Sequence, residues 1–269
     1  MIDFNSIAKI NIARGNRSMN DNKNSLCIME MVSYFNGDSH ITDRPACTCP
    51  ILTEYAIYLN DIATNQTDRN SLKALLPLLT GTVSDDHEIV RAIHLIEQSY
   101  ARIIIPTIKL YQKRNLENKQ PSNSLKYVEA VLDAAYKAKT IYEIGNAVQD
   151  DIDFNKYINE VTDSCAFTNN RISNIFDYVN SACKFVLAPR VPNIYYGFLY
   201  KEAIIKLTIA LKFCFFYLED TAPDFARWMW YVRRQILIEA INLGPHGGLD
   251  VEVYNLKSKD LQQTISEHA

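Results

Sequence analysis

Residues 26 to 62 read LCIMEMVSYFNGDSHITDRPACTCPILTEYAIYLNDI, and they set the fold class. Leu26 to Phe35 is apolar nearly all round, and Asn36-Gly37-Asp38 then stops a helix as a glycine C-terminal cap does. Pro50 suits the first position of a second helix and pushes the residue before it toward extended geometry, so Cys49 becomes that helix's N-cap. Two apolar helices joined by a punctuated turn are the opening of a helical body.

The same grammar continues downstream. Thr67 and Asp68 are expected to cap a short helix from Arg69 to Leu79, ended at Gly81, and Ser84-Asp85-Asp86 opens a long one. Along it Ile89, Ile93, Ile96, Tyr100 and Ile104 keep core spacing, while His87, Arg91, His94, Gln98 and Arg102 form the opposite, solvated face. Pro106 should bend this helix. Further helices are expected over roughly 124–148, 170–186 and 195–218, the last two separated by Pro189 and Pro192 and paired antiparallel. Thr221 and Pro223 open a final helix that Gly244-Pro245 ends. Val251 to Tyr254 alternates briefly like a strand, with no second strand-like segment to pair with it.

The expected architecture is therefore all-α, about seven or eight helices in a single compact bundle over 25–269. A flexible, loosely held N-terminal arm occupies 1–24, and a sub-boundary lies near 115–123, where Pro121 stands among polar residues.

Composition narrows the partners. With 48% hydrophobic residues and only 8 glycines in 269, the chain is globular and short of the turns a strand-rich fold needs. A net charge of -3 and a pI near 6.0 supply no positive field, which disfavours nucleic acid and anionic membranes. The longest apolar run, Ala203 to Leu218, is interrupted by Lys206 and Lys212, so it reads as a buried helix and no membrane partner is expected. Residues 1 to 24 contain no uninterrupted apolar stretch, and cysteines at 27, 47, 49, 165, 183 and 214 then fit free thiols in a reducing cytoplasm.

Chemistry is densest between Cys27 and Pro50. His40, Asp43, Cys47 and Cys49 are donor types that zinc prefers, but one residue rather than two to four separates the cysteines, so no metal is favoured. Cys49 at a helix N-terminus could instead become a thiolate nucleophile with His40 as its base. The plainer alternative is that Cys47 and Cys49 fill a tight turn between packed helices. Glu30, inside an apolar helix, is either ion-paired with Arg44 or Arg69 or serves as a general acid or base, and with Asp43 it could hold Mg²⁺.

Elsewhere His87 and His94 stand two helical turns apart, too far for a single-turn metal pair. Arg227, Trp230 and Arg234 share a face of the last helix and either grip an anion or a base or pack inward with the arginine stems snorkelling. The turn at 244–248 lacks the Lys and Ser/Thr of a phosphate loop and reads as a helix stop.

The run Leu26-Cys27-Ile28-Met29-Glu30, then Tyr34, Gly37 and Asp43-Arg44-Pro45-Ala46-Cys47-Thr48-Cys49-Pro50-Ile51, resembles the N-terminal part of uncharacterised bacterial and phage proteins with a Cys-x-Met-Glu, Tyr, Gly, Asp-x-Pro-x-Cys pattern. Asp68-Arg69, Leu75-Leu76-Pro77 and Gly81-Thr82 resemble their next segment, so the likeness spans about 26–96. It implies a prokaryotic or viral cytoplasmic setting and no particular reaction. Together these readings lead to a non-enzymatic helical protein that binds a protein partner, a phage-encoded modulator or inhibitor of a host system, with self-association left open. Its contact residues would be the arm and Arg91, His94, Arg102, Arg227, Trp230 and Arg234. The rival is a metal- or thiol-dependent enzyme, such as a hydrolase, centred on residues 27–50 with Glu30, Asp43 and Cys49 as catalytic candidates.

Overall fold

Apolar spacing and local caps build most of the elements. In the computed structural model, which describes residues 9–15, 25–116, 137–144, 166–188 and 196–246, two strands and nine α-helices can be traced among those residues. They are β1 (Asn11–Ile12), β2 (Ser25–Leu26), α1 (Ile28–Asn36), α2 (Pro50–Ile62), α3 (Gln66–Ser71), α4 (Leu76–Leu79), α5 (Asp85–Ser99), α6 (Ile105–Leu116), α7 (Ala166–Leu187), α8 (Gly197–Thr221) and α9 (Pro223–Ile241). A 3-10 turn over Leu72–Leu75 joins α3 to α4, and a π turn over Tyr100–Ile104 joins α5 to α6. The architecture is an all-α bundle, as the sequence predicts.

Helix α1 starts on a capping box in which cysteine takes the place of serine. Cys27 Sγ accepts from the Glu30 amide at 3.3 Å, and Glu30 Oε2 accepts from the Cys27 amide at 2.7 Å. At its other end Gly37 sits at φ 82°, a left-handed conformation that glycine adopts without strain. The Gly37 and Asp38 amides donate to the Tyr34 and Ser33 carbonyls at 3.1 and 3.2 Å, a Schellman stop.

The helix expected from Arg69 to Leu79 is instead broken in three. Its cap is Asn65, whose Oδ1 accepts from the Asp68 amide at 2.8 Å, rather than Thr67 or Asp68. Pro77 has no N–H to return to Lys73, and the chain tightens into a 3-10 turn before α4. Pro106 acts similarly on the α5–α6 helix. No N–H from it reaches the Arg102 carbonyl, and the turn before it widens, with the Ile105 amide donating to the Tyr100 carbonyl.

Helix α8 is the hub, packed along α7 and against α2, α5 and α9. Ala203, Leu207, Ala210, Leu211, Cys214 and Leu218 on it are fully buried, each larger side chain contributing about 1.5–3 kcal/mol of apolar burial. Tyr178 of α7 stacks on Phe213 of α8 at 6.0 Å. The final helix starts at Pro223 with Ala222 as its N-cap, one residue later than Thr221.

The loosely held arm expected over 1–24 does not hold for residues 9–15. Asn11 and Ile12 pair in parallel with Ser25 and Leu26, and Ile12 is 1% exposed. Asn60 Nδ2 donates to the Ala13 carbonyl at 2.8 Å and Gln66 Nε2 to the Ile12 carbonyl at 3.0 Å, so side chains of α2 and α3 satisfy this short segment's backbone. Of the helix expected over 124–148, a single turn at 141–144 is seen, its Ile141 amide held by Glu97 Oε1 at 2.8 Å. The expected sub-boundary from 117 onward and the alternating stretch at 251–254 lie outside the described residues.

Candidate functional site

In the cysteine-rich segment Cys27 and Cys49 are buried and Cys47 is half-buried. Glu30 is 4% exposed and spends its carboxylate on the Cys27 amide, which corrects both the expected ion pair and the acid–base role. Arg44 pairs with Glu54, which Lys201 Nζ also approaches at 3.6 Å, and Arg69 donates to the Ala63 and Asn60 carbonyls at 2.7 and 3.4 Å. Cys49 does cap α2, but its thiol is fully buried and its amide donates to Thr82 Oγ1 at 2.9 Å. Burial pushes that thiol's pKa up, against the pull of the helix N-terminus and Arg91, so the expected activation is reversed.

Cys47 is half-buried, its Sγ 3.7 Å from Thr48 Oγ1. His40 is exposed, and its carbonyl accepts from Ser33 Oγ at 3.4 Å. The Asp38 carboxylate accepts from Ser33 Oγ and Asn36 Nδ2 at 2.7 and 2.6 Å, bonds that hold its pKa below the usual carboxylate range. Among the described residues no three His, Cys, Asp or Glu side chains, including His40, Asp43, Cys47 and Cys49, converge as metal ligands would.

The expected polar face of α5 is an internal seam. Arg91 is fully buried and donates to the carbonyls of Thr82 at 2.5 Å, Pro245 at 2.9 Å and Ile241 at 3.4 Å. A guanidinium on the last carbonyls of α9 also meets the negative end of that helix. Gly244 closes the seam, since a Cβ there would stand 2.7 Å from His87 Cγ and 2.8 Å from Arg91 Nη2. Farther along, Arg102 Nη1 reaches both Glu239 oxygens at 3.0 and 2.8 Å, and His94 Nε2 lies 3.4 Å from the same carboxylate. These three expected contact residues are tied to α9.

On α9 the expected triad divides. Arg234 is 7% exposed and donates to the Ser71 carbonyl at 3.4 Å, and Trp230 is 5% exposed. Only Arg227 faces solvent, 3.6 Å from Asp224. Trp230 and Arg227 line a cavity of about 140 Å³ with Ile62, Phe215, Pro223 and Ala226, and Asp68 and Glu219 add acid to it. Beside it Phe225 and Trp228 stack at 5.4 Å, with Trp228 42% exposed.

Sequence reasoning missed Arg233. It follows Met229 by four residues and precedes Ile236, Leu237 and Ala240, all buried, and that spacing marks it as a core position. Its side chain is fully buried over the Phe215 ring, 5.6 Å from the centroid, and among the described residues none of its three nitrogens meets an acceptor in full hydrogen-bond geometry. The buried Tyr58 hydroxyl stands beside it and interacts with that guanidinium. Tyr55 and Cys214 complete the surroundings, and burial raises both their pKa values to about 12.

No protein-family model, curated protein or solved structure matches this chain. Function is therefore argued from its own geometry. Among the described residues no helix is long and apolar enough to cross a membrane.

Proposed function

We propose that this chain is a non-enzymatic helical protein that binds a protein partner at the corner where α8 ends and α9 begins. The observation that carries this reading is the exposed Trp228, stacked on half-buried Phe225, beside Arg227 and the α8–α9 cavity. Tryptophan and arginine are the residues most enriched where interfaces concentrate their binding energy, and a neighbouring cavity offers a place for a partner's apolar side chain. The other expected contact residues lend less support, because Arg91, Arg102 and Arg234 are occupied by the protein's own carbonyls and carboxylates and His94 is half-buried beside Glu239. The burial of Cys49 and the capping role of Glu30 weigh against a thiol- or carboxylate-based enzyme at residues 27–50. A modulator of a host system remains the setting that the N-terminal resemblance suggests.

The test is affinity capture from prokaryotic lysate with the wild-type chain and with Trp228→Ala and Arg227→Glu in parallel. A specific partner retained by wild type and reduced at least tenfold by both variants, with unchanged circular dichroism, supports the reading. Equal recovery by all three proteins, or recovery of nothing specific, overturns it.

A further inference from the structure

We propose that Arg233 and Tyr58 form a buried binding site for one small monovalent anion of the halide class. Arg233 projects from α9 where α2 and α8 pack on it, and its side chain is 0% exposed. Its guanidinium carries five N–H donors in one plane, and Nε, Nη1 and Nη2 have no acceptor within hydrogen-bond geometry. The Tyr58 hydroxyl, likewise buried, lies against that guanidinium and can turn its O–H toward the same point.

A cation removed from water is tolerated when a negative charge and hydrogen-bond acceptors replace the solvent. Phe215 covers one face of the guanidinium, but a ring face offers nothing to the N–H groups in the plane. Among the described residues, the ionisable groups Tyr55, Cys214, Glu239 and Glu54 have other partners or stay neutral. Tyr55 Oη is engaged with Ser99 Oγ at 3.3 Å, and burial keeps the Cys214 thiol and the Tyr55 phenol protonated up to about 12. Glu239 answers to Arg102 and His94, and Glu54 to Arg44 and Lys201. The other fully buried guanidinium, Arg91, meets three backbone carbonyls through Nη1 and Nη2, so the arginine that this fold uses as a tie has acceptors that Arg233 lacks. One positive charge calls for one negative charge. A fully buried guanidinium with a phenyl ring, a thiol and two tyrosines as its neighbours suits a small ion better than a branched or multiply charged one.

Thermal unfolding of the full chain in sodium chloride, bromide and gluconate at matched ionic strength tests this. Ligand linkage predicts a midpoint in chloride or bromide that climbs above the gluconate value by about 5 °C over a hundredfold range of halide. Arg233→Met should abolish the difference and Tyr58→Phe should shift it to higher halide concentration. A crystal grown in bromide should show an anomalous peak in contact with the Arg233 nitrogens, a readout that needs no variant. Identical midpoints in halide and gluconate, a halide effect that persists in Arg233→Met, or bromide found only elsewhere would each overturn the proposal.

Discussion

Arg91 and Arg233 are both fully buried, on α5 and α9, yet the fold treats them in opposite ways. Around Arg91 the chain brings together the Thr82 turn, the last carbonyls of α9 and the Pro245 segment, and three oxygens accept from it. Around Arg233 it places an aromatic face, a thiol and phenols, with no carbonyl or carboxylate among the described residues in hydrogen-bond geometry. The same side chain is thus a mechanical tie in one place and an unanswered charge in the other. Burial alone does not distinguish a structural arginine from a binding one. The partners do.

The sharpest way to break this contrast is Arg91→Met. It removes charged hydrogen bonds worth about 1.5–3 kcal/mol each and strands buried carbonyls, so a loss of about 4 kcal/mol is expected from denaturant unfolding. Gly244→Ala attacks the same seam from the other side by driving a methyl group into His87 and Arg91, for about 2 kcal/mol in the same measurement. An alkaline titration sharpens the Arg233 side. The Cys214 thiol ionises at its ordinary 9.0 when unfolded and about 12 when folded, so its stabilising share is complete below pH 9 and is lost as pH rises toward 12. Cys214→Ala should therefore flatten the fall in stability above pH 9 by up to about 1.4 kcal/mol per pH unit, read from denaturant midpoints between pH 8 and 10. The smallest effect belongs to Arg233→Met. With no halide present, it should change stability by less than about 1 kcal/mol in either direction, because replacing an uncompensated buried cation by an apolar isostere is often neutral or favourable. A loss as large as that of Arg91→Met would erase the contrast.

Much of the helical framework was legible because its signals are local. Gly37 needs its left-handed φ, Pro50 and Pro223 sit where a helix can spare an N–H, and the Ile93, Ile96 and Tyr100 spacing follows one helix face. Misreadings arose where two local signals compete or where a partner is distant. Pro77 and Pro106 were visible, but whether a helix answers a missing N–H by tightening or by widening depends on what packs around it. Ile12 and Ala13 looked like part of an arm because a two-residue strand has no periodicity, and the groups that hold it, Asn60 and Gln66, come from helices about fifty residues away. The α5 face of His87, Arg91, His94 and Arg102 was grouped correctly and assigned to solvent wrongly, since its covering helix lies at the other end of the chain.

Residue order by itself determined the helical class, the stop at Gly37, the starts at Pro50 and Pro223, and the apolar character of α8, because each follows from the conformational limits of a few neighbouring residues. Long-range packing chose the fate of several charged and sulfur-bearing side chains. Cys49 became a sealed thiol, Arg91 a tie and Arg233 a buried cation over an aromatic ring. The energy of an ionisable group is set by solvent exclusion and by oxygens and rings brought near from distant segments, and neither is written in the residues beside it.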